Sequence, residues 1–380
     1  MKVLLLYEYP PGPGGLATQG DLLLRGLRQI GVEAHAVGLE SAAEKEWYYH
    51  WFRPDLVVGV GFWGHAPDII FHPQQHGMMA VPWLVADGYI ANYRDAVNDL
   101  PLILVTSRWV KEVYIRDGIN SDIIEVLPVG CDTDAFVPRE LTDERVSAVR
   151  NALGLRTERL TLLTVGGDAA SKGAQEVMQA LAQVRDQVPD WQYVCKVWPQ
   201  PRTSRQTARD LALAEELGIA DRVIYVSCRA SRNYMPYLIA ACDIYAAPSR
   251  LDGFGMPQME AGACAKPVIG IRAMAMLDTL VHEETALLAG VAEEIRVTQK
   301  WFGKEAGYRQ WRRLTFDPPL VTDYRASVPD IADHLVRLMN DADLRARLGA
   351  AGRRRAVEHF DYRVVARRFV EIVSARLGVS

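Results

Sequence analysis

The most informative stretch of the sequence, residues 247–264, reads APSRLDGFGMPQMEAGAC. It places two carboxylates, Asp252 and Glu260, eight positions apart around a glycine-rich turn. The glycines let a ligand approach the backbone closely, and Pro257 suits the start of a helix whose first turn carries Glu260. Because a helix start presents unpaired N–H groups, the stretch is typical of a diphosphate site in which both carboxylates face one cleft and accept hydrogen bonds from hydroxyl groups.

Composition limits the function classes that are open to the chain. Its 380 residues exceed the size of about 250 to 300 at which one core stops growing, so we expect two domains with a large cleft between them. The formal charge of -4, with both signs scattered, argues against a nucleic-acid partner. An arginine-rich run at 345–355 is read as a solvated helix face that also permits peripheral contact with an anionic membrane.

The cysteines and the N-terminus predict the compartment. Five cysteines lie far apart without a C-x-x-C pair, which indicates reduced structural thiols in a cytoplasmic protein. The apolar run that opens the sequence is short and soon meets Glu8 and Pro10, so it predicts a buried strand rather than a signal peptide. We expect no membrane-spanning segment.

Short Val/Leu/Ile runs alternate with helical patterns, which predicts an α/β chain with parallel sheets. The strands expected in the first part of the chain are 3–6, 34–37, 56–60, 81–85 and 102–106. Those expected in the second part are 160–165, 191–197, 223–226, 244–247 and 268–271. A Pro/Gly/Asp-rich connector at 127–138 separates them, so we predict Rossmann-like, doubly wound domains at 1–138 and 139–358. The helix at 359–380 is expected to cross back to the first domain.

One block, 291–327, fits neither sheet. It holds six aromatic residues and seven Lys/Arg residues. Two interpretations stand side by side: an acceptor-binding excursion on which a sugar stacks against aromatic faces, and a packed surface insertion.

A glycine loop, Gly12–Ala17, follows the first expected strand and satisfies the pattern G-x-G-x-x-A. Glu40 comes just after the second strand, where a ribose-binding acid would sit. This pattern alone makes an oxidoreductase that binds NAD or NADP in the first domain an alternative. Against it, the Pro10-Pro11 lead-in lengthens the loop, and no hydride-transfer set follows in the sequence.

Two patterns have the look of metal sites, and we prefer another interpretation of each. Asp132-Thr133-Asp134 forms a D-x-D, but it lies in the connector, where a turn or hinge is the more common role. His72 and His76 have no carboxylate at matching spacing and lie in a segment that reads as a loop. We therefore expect no metal.

Lys172 stands at the start of a helix, after the strand 160–165 and a glycine-containing loop. A lysine in this position is well placed to bind a phosphate. The competing interpretation is a solvent-exposed lysine in the first turn.

Together these motifs resemble the retaining glycosyltransferases of the GT-B fold, family 4 (glycosyl transferases group 1). Residues 248–267 are similar to the family pattern E-G-F-G-L-P-x-x-E-A-M-A-C-G-x-P-V, and the Gly14-Gly15 loop, the 127–138 connector and Lys172-Gly173 add to the likeness. The resemblance implies two Rossmann-like domains that face each other across a cleft. It also implies transfer of a sugar from a nucleotide diphosphate donor to a hydroxyl acceptor with retention, without a metal or cofactor.

The resemblance further implies residue roles. Lys172 would hold the donor diphosphate, Glu260 the ribose, and Asp252 the hydroxyls of the donor sugar. The residues expected to bind the donor are Gly14, Gly15, Lys172, Phe254, Gly255, Met256 and Glu260, and those expected to be catalytic are Asp252 and Asp87. Asp87 stands where the family has a first-domain histidine, with His76 as the alternative.

Two departures from the family pattern lie on the donor side. The family arginine five positions before the lysine is replaced by Gly167, for which Lys196 or Arg229 would substitute. The first glutamate of the family pattern is shortened to Asp252. Because Gly167 removes one charge partner of the diphosphate, a GT-B-shaped protein that binds the donor without catalysis is a further alternative.

Overall fold

A computed structural model describes residues 1–85 and 88–379. The chain forms two compact units. Unit 1 comprises Met1–Asp132, Arg296–Val321 and His359–Ser380, and unit 2 comprises Thr133–Ile295 and Thr322–Glu358. This division differs from two consecutive domains because the middle of the 291–327 block belongs with unit 1.

Unit 1 is built on a six-stranded sheet with the order β2-β1-β3-β4-β5-β6, in which every neighbouring pair is parallel. Its strands are β1 (Lys2–Tyr7), β2 (Glu33–Gly38), β3 (Leu56–Gly61), β4 (Trp83–Leu84), β5 (Ile103–Val105) and β6 (Ile124–Val126). Its helices before the connector are α1 (Gly15–Gln29), α2 (Ala42–Trp51), α3 (His72–Gln75), α4 (Arg94–Asn98) and α5 (Arg108–Arg116). The central strands are apolar on both faces because helices cover both sides of such a sheet.

The C-terminal helix of the chain, Tyr362–Leu377, belongs to unit 1 and packs on α1. The two helices approach closely at Gly26, where an added Cβ would lie 2.5 Å from the carbonyl oxygen of Tyr362. One face of the C-terminal helix, including Val365 and Phe369, is buried. The apolar face of this helix therefore packs against the rest of unit 1.

Unit 2 is built on a second parallel sheet with the order β12-β11-β10-β7-β8-β9. Its strands are β7 (Leu160–Val165), β8 (Trp191–Val197), β9 (Val223–Ser227), β10 (Ile244–Ala246), β11 (Val268–Ile271) and β12 (Ala286–Ala289). Its helices are α6 (Glu144–Ala152), α7 (Ala174–Val184), α8 (Pro201–Glu216), α9 (Met235–Ala240), α10 (Met256–Ala263), α11 (Met276–Thr279), α12 (Val328–Asn340) and α13 (Ala342–Arg355), and the C-terminal helix of unit 1 is α14. The strand order reverses between β7 and β10, which is where ligands bind in open sheets of this type.

The 291–327 block forms a two-stranded sheet of β13 (Val291–Phe302) and β14 (Arg312–Ala326), which we call the arm. The tip of the arm, Arg296–Val321, belongs to unit 1. There Phe302 and Phe316 are buried in an apolar cluster of that unit, and the Tyr308 hydroxyl donates a hydrogen bond to the carbonyl of Ala91 over 2.6 Å. The packed-insertion interpretation therefore describes part of the block.

Other aromatic side chains of the arm remain at the surface. Trp301 and Trp311 are 57% and 67% exposed.

No helix among the described residues combines the length and the apolar character needed to cross a bilayer.

Candidate functional site

Two loops meet at the point in unit 2 where the strand order reverses. One follows β7 and ends at Lys172, and the other follows β10 and contains Asp252. The Lys172 Nζ lies 2.5 Å from Asp252 Oδ2, so the two predicted residues form an ion pair. They are 80 positions apart in sequence, and the parallel sheet brings them together because both follow the carboxyl ends of neighbouring strands.

The close approach of these loops depends on glycine. Gly173 has φ +81, and a Cβ at this position would lie 2.3 Å from the carbonyl oxygen of Pro248 in the other loop. Gly255, with φ +82, precedes the first residue of α10, and its Cβ would lie 2.2 Å from Met276 Cε. Both positions use left-handed backbone conformations that are costly for residues with side chains.

Asp252 is held in its charged form. Its Oδ1 accepts hydrogen bonds from the backbone N–H groups of Phe254 (3.2 Å) and Gly255 (2.8 Å), while Oδ2 faces Lys172. Burial on its own would raise the pKa of this carboxyl, but the charge of Lys172 and these hydrogen bonds outweigh it and hold the pKa below its usual value. The loop therefore presents a fixed carboxylate beside the start of α10.

Glu260 lies on the second turn of α10 rather than the first, because the helix begins at Met256. Its side chain is buried, and Arg232 contacts Glu260 Oε1 over 2.7 Å. Arg232 was not among the residues chosen from sequence. Arg232 stands 28 positions before Glu260 and outside any motif, so only the fold connects the two residues.

The start of α8 adds positive charge next to Gly167. Arg202, Arg205 and Arg209 line a cavity of about 380 Å³ together with Asp168 and Gln206. The loop and the helix are joined because the Thr203 hydroxyl donates to the carbonyl of Gly167 over 3.2 Å. The arginines follow one another at helical spacing, a pattern that could have been found in the sequence.

The two residues proposed from sequence to replace the missing arginine lie near the same loop. Lys196 is buried on β8, where burial lowers the pKa of its ammonium group. Its Nζ lies 6.0 Å from the centre of the Trp198 ring, and the guanidinium of Arg229 lies 5.9 Å from that centre. Both cations thus lie near Trp198, which is the first residue after β8.

The base of the arm supports the loop that carries Asp252. Arg250 in this loop donates to Glu176 Oε1 from Nε (3.0 Å) and from a terminal nitrogen (2.8 Å). The backbone N–H of Tyr324 donates to the carbonyl of Arg250 over 2.9 Å, and Arg325 lies 3.8 Å from Glu176. The loop is therefore braced from α7 and from β14.

The remaining predicted donor residues are spread over both units. Phe254, Gly255 and Met256 lie at the start of α10, beside Asp252. Gly14 immediately precedes α1 and Gly15 begins it, so both belong to unit 1. The predicted catalytic residue Asp87 lies outside the described residues.

The structure corrects the interpretation of the two histidines. His72 begins α3 and His76 directly follows it, so the segment is helical rather than a loop. A carboxylate does reach them: Glu46 on α2 lies 3.8 Å from the Nε2 atom of each histidine. In the D-x-D of the connector, by contrast, Asp132 forms an ion pair with Arg25 over 2.8 Å.

The fold of the chain has a counterpart among solved structures. Over 99% of this chain and all of the other, the structure is similar to that of Anabaena HepE in complex with UDP and glucose, with a TM-score of 0.73 and 16% sequence identity. Two six-stranded parallel sheets with covering helices, in this arrangement of strands, constitute the two-domain α/β GT-B fold.

A segment that lies almost entirely in unit 2 matches a known family. Residues 146–296 match the family described as "Glycosyl transferases group 1". The chain is 25% identical over 288 residues to the MMP alpha-(1->4)-mannosyltransferase of Mycolicibacterium hassiacum, covering 75% of this chain and 56% of that protein. It is 29% identical over 196 residues to the D-inositol 3-phosphate glycosyltransferase of Jonesia denitrificans, covering 49% and 44%. The chain spans about half the length of these relatives.

Proposed function

We propose that the chain transfers a sugar from a nucleotide diphosphate donor to a hydroxyl acceptor, with retention of the anomeric configuration and without a metal ion. The ion pair of Lys172 and Asp252 at the reversal point of the unit 2 sheet carries the proposal. It places a cation, a fixed carboxylate and the start of α10 in one place, inside the residues that match the family.

Lys172 is assigned to the donor diphosphate. Cleavage of the bond between the sugar and the phosphate builds negative charge on the leaving diphosphate, and fixed positive groups stabilise that charge. The N–H groups at the start of α10 add to the same effect. We propose that the arginines of α8 supply the charge that the family arginine, absent at Gly167, would provide.

Asp252 and Glu260 are assigned to hydroxyl groups of the donor. An ionised carboxylate has about four lone-pair sites. In Asp252 two backbone N–H groups and Lys172 use three of them, which leaves one to accept a hydrogen bond from a sugar hydroxyl. Glu260 is oriented through Oε1 by Arg232, and Oε2 accepts from the ribose. Each carboxylate is thus held by a cation before the donor arrives, which lowers the entropic cost of binding.

For unit 1 we propose that Gly14 and Gly15 approach the donor phosphates and that Asp87 acts on the acceptor. All five cysteines are free, which supports a reducing, cytoplasmic compartment. Exposed Trp301 and Trp311 on the arm are candidates for stacking against a sugar acceptor.

The test starts from donor binding. UDP-glucose and GDP-mannose head the panel, because one structural neighbour holds UDP and glucose and one relative is named a GDP-mannose-dependent mannosyltransferase. A donor that binds the folded chain raises its melting temperature. Loss of a charge-assisted phosphate contact in Lys172→Ala weakens binding by about 10- to 100-fold. Lys111→Ala, on α5 of unit 1, is the matched control.

Turnover decides between the remaining functions. Release of nucleotide diphosphate that depends on an acceptor, unchanged in EDTA, supports metal-independent transfer, and the anomeric coupling of the product by NMR reports retention. Donor binding without turnover for any acceptor would support the non-catalytic alternative. A melting shift with NAD or NADP alone would instead support the glycine-loop oxidoreductase.

A further inference from the structure

Three side chains of unit 1 converge on one point at its surface. Glu46 Oε1 lies 3.8 Å from His72 Nε2 and 3.8 Å from His76 Nε2. One nitrogen of each histidine and one carboxylate oxygen of Glu46 lie within 4.8 Å of one another. The side chains of Glu46, His72 and His76 are 45%, 17% and 31% exposed, so the cluster is open to solutes on one side.

Local structure explains the convergence. A π-helical turn at Pro67–Phe71 leads into α3, and the spacing of four residues places His72 and His76 on one helical face. The imidazole rings stack with centroids 4.8 Å apart. Glu46 comes from the neighbouring helix α2, so the cluster joins two separate elements.

Tyr49, one turn after Glu46 on α2, orients the cluster. Its hydroxyl lies 3.4 Å from His72 Nδ1, which leaves Nε2 of that ring directed at Glu46. Its ring centre lies 5.8 Å from that of His72 and 5.6 Å from that of His76. In metal sites the second nitrogen of a histidine ligand usually has a hydrogen-bond partner. For His72 that partner is Tyr49.

Lys45, the neighbour of Glu46 on α2, has partners outside the cluster. Its ammonium lies 3.8 Å from Asp68 Oδ1 and donates to the carbonyl of Leu39.

We propose that Glu46, His72 and His76 form a zinc-binding site with water as the fourth ligand. Two imidazole nitrogens and one carboxylate oxygen suit Zn²⁺ in tetrahedral geometry. Bonds of about 2.0 to 2.1 Å place tetrahedral ligands roughly 3.4 Å apart, so the separations of 3.8 Å close with small side-chain movements. The ion would join α2 to α3. It uses none of the residues that the proposed function assigns to sugar transfer, and it makes His76, the sequence alternative to Asp87, a zinc ligand.

The experiment is a titration of the tag-free, EDTA-treated full chain with Zn²⁺ by calorimetry. We expect one site with a dissociation constant in the micromolar range or tighter, and a melting temperature that rises with the concentration of Zn²⁺. Co²⁺ in place of Zn²⁺ should give the visible absorption of a tetrahedral ion. Absence of saturable binding at 1:1 stoichiometry would overturn the proposal.

Variants assign the ligands. His72→Ala, His76→Ala and Glu46→Gln should each weaken binding at least about tenfold, and Tyr49→Phe by up to about tenfold. His50→Ala, an exposed histidine on α2, is the control and should retain full affinity. The melting temperature of each variant in EDTA reports whether it folds. Undiminished affinity in all three ligand variants would place the ion elsewhere and contradict the assignment.

Discussion

Gly173 determines how closely the two loops of the candidate site approach. Its left-handed conformation and its contact with Pro248 leave no room for a side chain. Gly31 has the same kind of backbone conformation, with φ +87, but an added Cβ there would meet nothing within 4 Å. The pair therefore separates the cost of the conformation from the cost of the contact.

We expect Gly173→Ala to lower the free energy of unfolding of unit 2 by about 2 to 4 kcal/mol, since overpacking adds about 1 to 3 kcal/mol to the conformational cost. Gly31→Ala, in unit 1, should cost only about 1 kcal/mol. Urea unfolding of both variants measures the difference. Equal losses would show that the contact with Pro248 relaxes freely.

At the residue scale, the sequence predicted the chemical groups of the site better than their partners. Lys172 and Asp252 stand in motifs that local patterns define, and the structure brings them together. The pairing of Glu260 with Arg232 depends on a turn between β9 and α9, which carries no motif. Its prediction requires the fold rather than the spacing of residues.

At the element scale, buried strands were the most predictable part of the fold. The expected strands 160–165, 191–197 and 268–271 coincide with β7, β8 and β11, because central parallel strands are continuous apolar runs. The expected strand 81–85 shortens to the two residues of β4. Apolar character marks burial in both cases, but it does not define how many residues pair with a neighbour.

The apolar spacing of residues 331–348 is typical of one continuous helix, but the segment forms two, α12 and α13. Asp341 separates α12 from α13, and its side chain accepts a hydrogen bond from the N–H of Leu344 over 2.8 Å. An aspartate at this position starts a new helix by capping its first turn. The apolar spacing continues across the break and therefore concealed it.

The arm is held on unit 1 by the buried side chains at its tip, and substitutions can test this. Phe316 is buried at the tip, where its ring meets that of Tyr89 edge-on at 4.7 Å, whereas Trp311 is exposed. Phe316→Ala should therefore destabilise unit 1 by about 3 to 5 kcal/mol, the usual cost of truncating a buried aromatic side chain. Trp311→Ala should stay within about 0.5 kcal/mol.

Thermal unfolding of both arm variants provides the measurement, with the parent chain alongside. Similar melting temperatures for Phe316→Ala and the parent would mean that the tip detaches at little cost. Near-parent stability of Trp311→Ala would leave that side chain available for the acceptor-binding test.

At the scale of the whole molecule, histidines that are wholly or partly shielded from water set the response of stability to mild acid. Burial lowers the pKa of His65 in unit 1 and of His334 in unit 2. The unfolded chain, with histidine pKa values near 6.5, then binds more protons than the folded chain as the pH falls, so stability decreases. Carboxylates do not contribute in this range, because their usual pKa values lie near 4.

We expect the melting temperature to fall between pH 7.5 and pH 5.5, and His334→Leu to reduce that fall. Differential scanning calorimetry at matched ionic strength follows both chains. Parallel curves for the parent and the variant would show that His334 does not contribute to the pH dependence.

The arm also limits which fragments of the chain can be expressed on their own. The polypeptide leaves unit 2 after Ile295 and returns at Thr322, so a fragment that runs from Thr133 to Glu358 carries the tip of the arm without the surface that buries it. Phe302, Phe316 and Leu320 would then face water and invite aggregation. An independently expressed unit 2 therefore needs the residues between 295 and 322 replaced by a short polar turn.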